Sequence, residues 1–345
     1  MTRQDAIKTG LGDFSREKFN ALVNIRAGAL EGLREALKLH GYAEVTTSSL
    51  VNIAGSCENP NASFTLNYYG NEAHLSQSAQ LQLEALVMRL KRGVFTVNNS
   101  FREEDYVDPE AKGRRLSEFT LVEPERPYDD CLGPQSALER IIEEQEGVIK
   151  HAMQKVVRQC YADVGLLGGN ADYLERLIAA KFARITYDDA LKLLNSGSGN
   201  HAFGDDMGMR EERTILQAFD DIPTFVTYHP ASIKFFNMKR TPDGKCAYSV
   251  DLLMPKLGET SGGAVREENG KLIKKYLVES RIGRYLSEKG QDPAIPFTEY
   301  LNLFEQEEPL LRGGYGIGFE RFVGFLLGSN DILETVAYRT LHPQA

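Results

Sequence analysis

The chain has 345 residues, 42% apolar and 26% charged, a balance that excludes a disordered polypeptide and fits one or two folded domains around a sizeable core. Aspartate and glutamate number 49 against 40 lysines and arginines, a net charge of −9, the wrong sign for a domain whose main task is to grip a phosphate backbone, although a local basic groove is compatible with it. Four scattered cysteines (Cys57, Cys131, Cys160, Cys246) with no CxxC pair exclude a zinc ribbon or a disulfide framework, and the absence of a leader-like apolar segment or a run of ~18 apolar residues predicts a cytoplasmic chain outside the membrane.

Apolar residues at Phe19, Leu22, Ile25, Leu30, Leu33 and Leu37 fall on one helical face, so an amphipathic helix is expected over 16–40, stopped by Gly41. Strand-like runs follow at 42–47, 62–69, 93–101 and 116–125, rich in β-branched and aromatic residues. Helical spacing returns from Pro134 to Tyr161 and in shorter segments at 171–183 and 187–195, the last with Thr186 placed to cap it. A loop rich in Gly, Ser, Asn and Asp is expected over 194–208. Strands resume at 224–229, 247–255, 263–268 and 313–319, and a helix closes the pattern at 320–328. Without regular strand–helix alternation, this order predicts an α+β fold with one large antiparallel β-sheet flanked by helices.

Three segments carry candidate chemistry. Phe101-Arg102-Glu103-Glu104 and Arg115-Leu116-Ser117-Glu118-Phe119 are two strand-like runs joined by a polar loop, an arrangement that sends a guanidinium and an aromatic ring to one pocket; taken alone it is more readily a solvated hairpin. Asp251 and Glu259 stand on consecutive segments and suit Mg²⁺ bridging nucleotide phosphates, although isolated carboxylate pairs are usually surface charge. The run Gly313-Gly314-Tyr315-Gly316-Ile317-Gly318-Phe319-Glu320-Arg321 enters an apolar helix. Alternating glycines mark a close approach by a ligand or by another backbone; the spacing is not that of a dinucleotide fingerprint.

In this order the segments resemble the class II aminoacyl-tRNA synthetases, and RLSEFTLVEPE, SVDLLMPKLGE, GGAVRE and GGYGIGFERF resemble the asparaginyl/aspartyl subgroup, from about Asn24 to Tyr338. The resemblance implies an N-terminal extension over 1–20 and a catalytic domain over 21–345, with a helical insertion at about 134–222. It implies an ATP-dependent, AMP-forming ligase using ATP and Mg²⁺. Arg102 would hold the α-phosphate and the substrate carboxylate, Glu104 the adenine amino group, Phe119 and Arg321 the adenine ring, with Arg321 also touching the γ-phosphate, and Asp251 and Glu259 the metal. Arg115 stands where a histidine is expected to reach the γ-phosphate. Ser78, Gln80 and Glu123 match the α-ammonium site, Glu58 a flexible-loop glutamate, and Arg266 the arginine that reads the side chain. Aspartate enzymes carry a lysine where this chain has Leu83; Glu84 with Arg266 would instead read an amide. The helix around Asn24–His40 would form a homodimer interface.

Departures from the pattern are Arg115 for histidine, Leu311-Arg312 for Pro-His, Asn237 for tyrosine, and Tyr338-Arg339 out of register with a Pro-Arg pair. About two dozen residues precede the first motif, so no anticodon-reading domain is expected. The chain then resembles archaeal asparagine synthetase-related enzymes. The expectation is activation of aspartate, asparagine or an analogue and transfer to ammonia or another small amine, without tRNA. The alternatives are charging of tRNA or a carrier protein, and a non-catalytic regulatory paralogue that binds an amino acid or nucleotide.

Overall fold

The structure is a computed structural model that describes residues 8–12, 14–53, 59–103, 113–197 and 199–341. After β1 (Lys8–Leu11), helix α1 (Arg16–Leu39) begins where the Ser15 side chain accepts a hydrogen bond from the Lys18 amide, satisfying one of the free donors of the first turn. Then come β2 (Ala43–Glu44), β3 (Leu50–Val51), a hairpin of β4 (Thr65–Tyr68) and β5 (Asn71–Leu75), α2 (Gln80–Leu90), β6 (Val94–Phe101) and β7 (Glu118–Pro127). Strands β3, β5 and β4 form a small separate sheet.

The helical run expected over 134–222 divides. Helices α3 (Gly133–Leu166) and α4 (Ala171–Ala179) join the main core, whereas α5 (Tyr187–Asn195) and α6 (Met209–Ala218) build a smaller one around Tyr187, Ile215 and Val226. Between α4 and α5 the chain adds β8 (Ala183–Thr186) to the main sheet, and Thr186 caps α5 by accepting from the Asp189 amide. The last third holds β9 (Thr224–Thr227), β10 (Ser249–Met254), β11 (Gly258–Val265), helices α7 (Gly270–Glu279), α8 (Arg281–Glu288) and α9 (Thr298–Gln306), then β12 (Arg312–Gly318), α10 (Phe319–Leu327) and β13 (Tyr338–Leu341), which pairs with β1.

The main sheet has eight strands in the order β2-β6-β7-β12-β11-β10-β9-β8, antiparallel except for a parallel pair at each edge. This is the expected α+β architecture. Side chains alternate between its faces. Phe95, Val122, Ile317, Val265, Val250 and Leu252 are fully buried on one face, packed against α1, α3 and α10 in the largest apolar cluster. The stripe on α1 (Leu22, Ile25, Leu33, Leu37) lies in that same cluster, so the helix expected at a subunit interface uses its apolar face within its own chain. The opposite face carries Phe119, Glu123 and Glu125 from β7, with small residues beside them. Gly314 pairs with Glu125 across β12–β7, Gly262 with Asp251, and Ala264 with Gly314. Among the described residues no helix is long and apolar enough to cross a membrane.

Candidate active site

The polar face of the sheet is the floor of the site, and the alternating glycines keep it flat. A Cβ on Gly314 would stand 2.1 Å from Glu125 Oε2 and 2.2 Å from the Pro124 carbonyl oxygen, far inside van der Waals contact, so only glycine fits there. Five strands therefore present their functional groups around a bare patch of backbone.

At one end, the Glu123 carboxylate is 5% exposed and accepts from Ser78 Oγ and, at 2.9 Å, from the Ala79 amide at the start of α2. Gln80 lies one residue on, its amide donating to Ser78 Oγ at 3.1 Å. Ser78, Gln80 and Glu123, matched to one subsite from sequence, are thus neighbours. In the middle, the Arg102 guanidinium lies 5.7 Å from the centre of the Phe119 ring, and its backbone amide donates to the Ser117 carbonyl at 2.9 Å. Arg321, in the first turn of α10, donates to the Glu259 carbonyl. Its neighbour Glu320 ties three elements: Oε2 accepts from the Thr120 amide at 2.8 Å and Oε1 pairs with Arg26 of α1 at 3.1 Å.

At the other end stand Asp251 and Glu259. A one-residue register shift between β10 and β11 pairs Leu253 with Glu259; in a regular ladder Thr260 would take that place and Glu259 would point to the core. Both carboxylates thereby come within 3.3 Å of the point above Gly262 where a Cβ would stand. Asp251 Oδ2 already has Lys234 Nζ at 2.5 Å and His229 Nε2 at 3.1 Å. Burial, then the Asp251 charge, raises the Glu259 carboxyl above its usual range; burial and the Lys234 cation push His229 well down, keeping it neutral. Two converging carboxylates fit a divalent cation that takes its remaining ligands from phosphate and water, and no cluster of three or more metal-ligating side chains occurs among the described residues.

A small cavity beyond this pair, lined by Asp206, Glu212, His229, Lys234, Asp251 and Glu259, opens under α6. Glu212 accepts from the Glu259 amide at 3.3 Å and pairs with Arg114 at 3.5 Å; burial and the nearby Glu259 charge push its carboxyl up to about 7. Arg114, rather than Arg115, turns inwards: Arg115 is exposed, and Arg114 also donates to the Leu257 carbonyl at 3.3 Å. Glu212, Lys234, His229 and Arg114 were missed from the sequence. The adjacent Arg114-Arg115 pair was the one available signal, and it does not say which member faces in. Glu58 and Glu104 lie outside the described residues.

The side-chain end of the pocket is a buried ionic network. Arg266 Nε and Nη2 donate to the two oxygens of Glu125 at 2.9 and 3.0 Å, the bidentate geometry of an ion pair; burial raises the Glu125 carboxyl and the Arg266 cation opposes that rise. Arg312, fully buried, donates from Nη2 and Nε to Glu84 Oε2 at 2.7 and 3.1 Å. Tyr300 of α9 donates to the same oxygen at 2.9 Å.

The family model of the tRNA synthetases class II (D, K and N) matches residues 5–341. The chain belongs to this family. It is 32% identical over 330 residues to an asparagine–tRNA ligase of Pyrococcus abyssi, covering 95% of this chain and 69% of that protein, and 29% identical over 343 residues to that of Ureaplasma urealyticum, covering 94% and 70%. The asparaginyl-tRNA synthetase of Pyrococcus horikoshii, solved with asparaginyl-adenylate, superposes with a TM-score of 0.81 at 30% identity over 94% of this chain and 69% of that one. The resemblance seen in the motifs is therefore real, and the protein is a ligase of the adenylate-forming, asparaginyl-tRNA synthetase type.

Proposed function

We propose that the chain activates an amino acid bearing a side-chain amide, asparagine in the first instance, and passes it to tRNA. The α-carboxylate oxygen attacks the α-phosphorus of ATP, the bond to the bridging oxygen breaks, and pyrophosphate leaves. A ribose hydroxyl at the end of tRNA then attacks the acyl carbon, AMP departs, and the hydroxyl proton is released. No side-chain nucleophile is needed, because the reacting atoms are held in line.

The observation that carries this reading is the charge pattern of the pocket floor. Glu123 with Ser78 offers an anionic site for an α-ammonium, and Arg102 and Arg321 offer cations for the carboxylate and phosphates, with Phe119 as a stacking surface for adenine. The side-chain end is neutral as a whole, since Glu84 is matched by Arg312 and Glu125 by Arg266. A neutral amide enters such a pocket without leaving a charge uncompensated, whereas a carboxylate adds one. Asp251 and Glu259 would hold magnesium, which supplies charge neutralisation on the phosphates.

The tRNA ligases named above favour a tRNA acceptor over the ammonia anticipated from the sequence. A local basic surface supports the same choice. Helices α7 and α8 expose Lys271, Lys274, Lys275, Arg281 and Arg284 against Glu279 and Glu288, an excess of cations in a chain of net charge −9. They pack in one apolar cluster with α9, whose Tyr300 reaches Glu84.

The deciding experiment is amino-acid-dependent ATP–pyrophosphate exchange with asparagine and aspartate, followed by acyl transfer to unfractionated tRNA or to ammonia. Exchange with asparagine and label recovered in tRNA support the reading. Exchange with aspartate alone, or product recovered only with ammonia, overturns it.

A further inference from the structure

We propose that Asn237, rather than Glu84, is the acceptor that reads the N–H of the bound amino acid's side-chain amide; this rests on the amide-activating reading above.

Glu84 is completely buried and already surrounded by donors. Its Oε2 accepts from Tyr300 and twice from Arg312; its Oε1 accepts from Asn237 Nδ2 and, at 3.3 Å, from Gln80 Nε2. A carboxylate has about four lone-pair sites, and five donors fill them. Glu84 therefore has no capacity left for a substrate amide, and the expectation that it reads one directly is revised: it orients Asn237, Tyr300 and Arg312.

Asn237 is also fully buried. Its amide nitrogen must face Glu84, because the flipped side chain would set two acceptors against each other. That orientation fixes Oδ1 on the far side, where it has no hydrogen-bond partner in the structure. Buried acceptors are nearly always satisfied, so an orphan beside the Glu84–Arg266 cluster is suited to a donor from outside the chain. The neighbouring backbone holds Asn237 beside Arg266: the Asn237 carbonyl accepts from the Glu267 amide at 2.8 Å, and Met238 is bridged to Arg266. Arg266 Nε stands 3.9 Å from the Glu84 oxygen that Asn237 also contacts. Since Nε and Nη2 serve Glu125, Nη1 is the remaining nitrogen of that guanidinium. One orphan acceptor beside one donor is the complement of a primary amide. A carboxylate has no N–H to give and would oppose its lone pairs to Asn237 Oδ1.

The test measures binding of asparagine and aspartate by calorimetry, and pyrophosphate exchange with each, for the unaltered chain, Asn237→Ala and Asn237→Ser. Asn237→Ala should weaken asparagine binding about tenfold or more while leaving aspartate unchanged or improved. Asn237→Ser, whose hydroxyl can donate to Glu84 and still accept, should recover part of the preference, and it carries the test if the alanine variant does not fold. Equal losses for both amino acids, an unchanged ratio, or no asparagine binding by the unaltered chain overturns the inference. Asparagine binding that depends on Asn237 with silent exchange would instead overturn the activation reading and leave this one standing.

Discussion

At the residue scale, burial decides which groups in the site hold charge. Glu212 lies beside Glu259, and its carboxyl is pushed up to about 7 from an ordinary value of 4.5. A carboxyl whose folded pKa exceeds its unfolded one favours the fold while both states are protonated. That contribution is complete below about 4.5 and is lost as pH rises through about 7. The ligand-free protein should therefore melt at lower temperature at pH 8 than at pH 5.5, and Glu212→Gln should flatten the dependence, a difference of at most about 3 kcal/mol; identical slopes for the two proteins would remove Glu212 as the cause. Arg321 is a different kind of residue. Its partners in the fold are few, its nitrogen donating to a carbonyl of β11, so Arg321→Ala should keep the circular dichroism spectrum and lose pyrophosphate exchange by ~100-fold or more. Near-normal exchange would sink the phosphate role.

Elements place these residues, and α2 shows how context overrides a local pattern. Its sequence QLQLEAL alternates like a strand, yet it forms a helix over Gln80–Leu90, and the residue that precedes it, Ala79, donates its amide to Glu123. Leu83 is 1% exposed and packs with Ala79, Val87 and Val94. The discriminating role given to Leu83 from sequence thus meets a structural obstacle, since a lysine at that position would bury an ammonium among apolar side chains. Leu83→Lys should lower stability by about 3 kcal/mol or more rather than simply redirect specificity to aspartate. Chemical denaturation measures it, and an unaltered midpoint together with aspartate-dependent exchange would restore the original expectation. Helices α7, α8 and α9 are not among the elements expected from sequence, although Ile273 with Leu277 and Ile282 with Leu286 keep helical spacing and pack with Leu81 of α2 and Phe236 in one cluster.

For the whole molecule, the acidic total includes a group of exposed cations on α7 and α8. If tRNA docks on α7–α8, replacing Lys271, Lys274 and Lys275 by glutamate should reduce acyl transfer to tRNA at least several-fold and lower its salt dependence, while pyrophosphate exchange stays as it was. Equal loss of both activities would place these lysines in the fold rather than at an acceptor surface. The homodimer anticipated from the family pattern belongs to this scale too. Because α1 buries its leucines against α3 in its own chain, a second subunit would have to use other residues of that helix, and the sedimentation mass of the purified chain decides between one copy and two.

Period-two and helical spacing, punctuated by glycine, were enough by themselves to indicate α1, α3, most strands of the main sheet and α10, because those elements obey local rules of side-chain alternation. The resemblance of the ordered motifs to the synthetase family likewise marked Arg102, Phe119, Glu123, Asp251, Glu259 and Arg321. What only the tertiary structure decided is how the charges pair. Glu84 and Arg312 are separated by 228 residues and meet in the fold at 2.7 Å, and Asn237 reaches Glu84 from 153 residues away. Sequence offset carries no information about such contacts. Whether a buried carboxylate is open to a ligand or already saturated depends on every donor around it, and those donors here come from four separate parts of the chain.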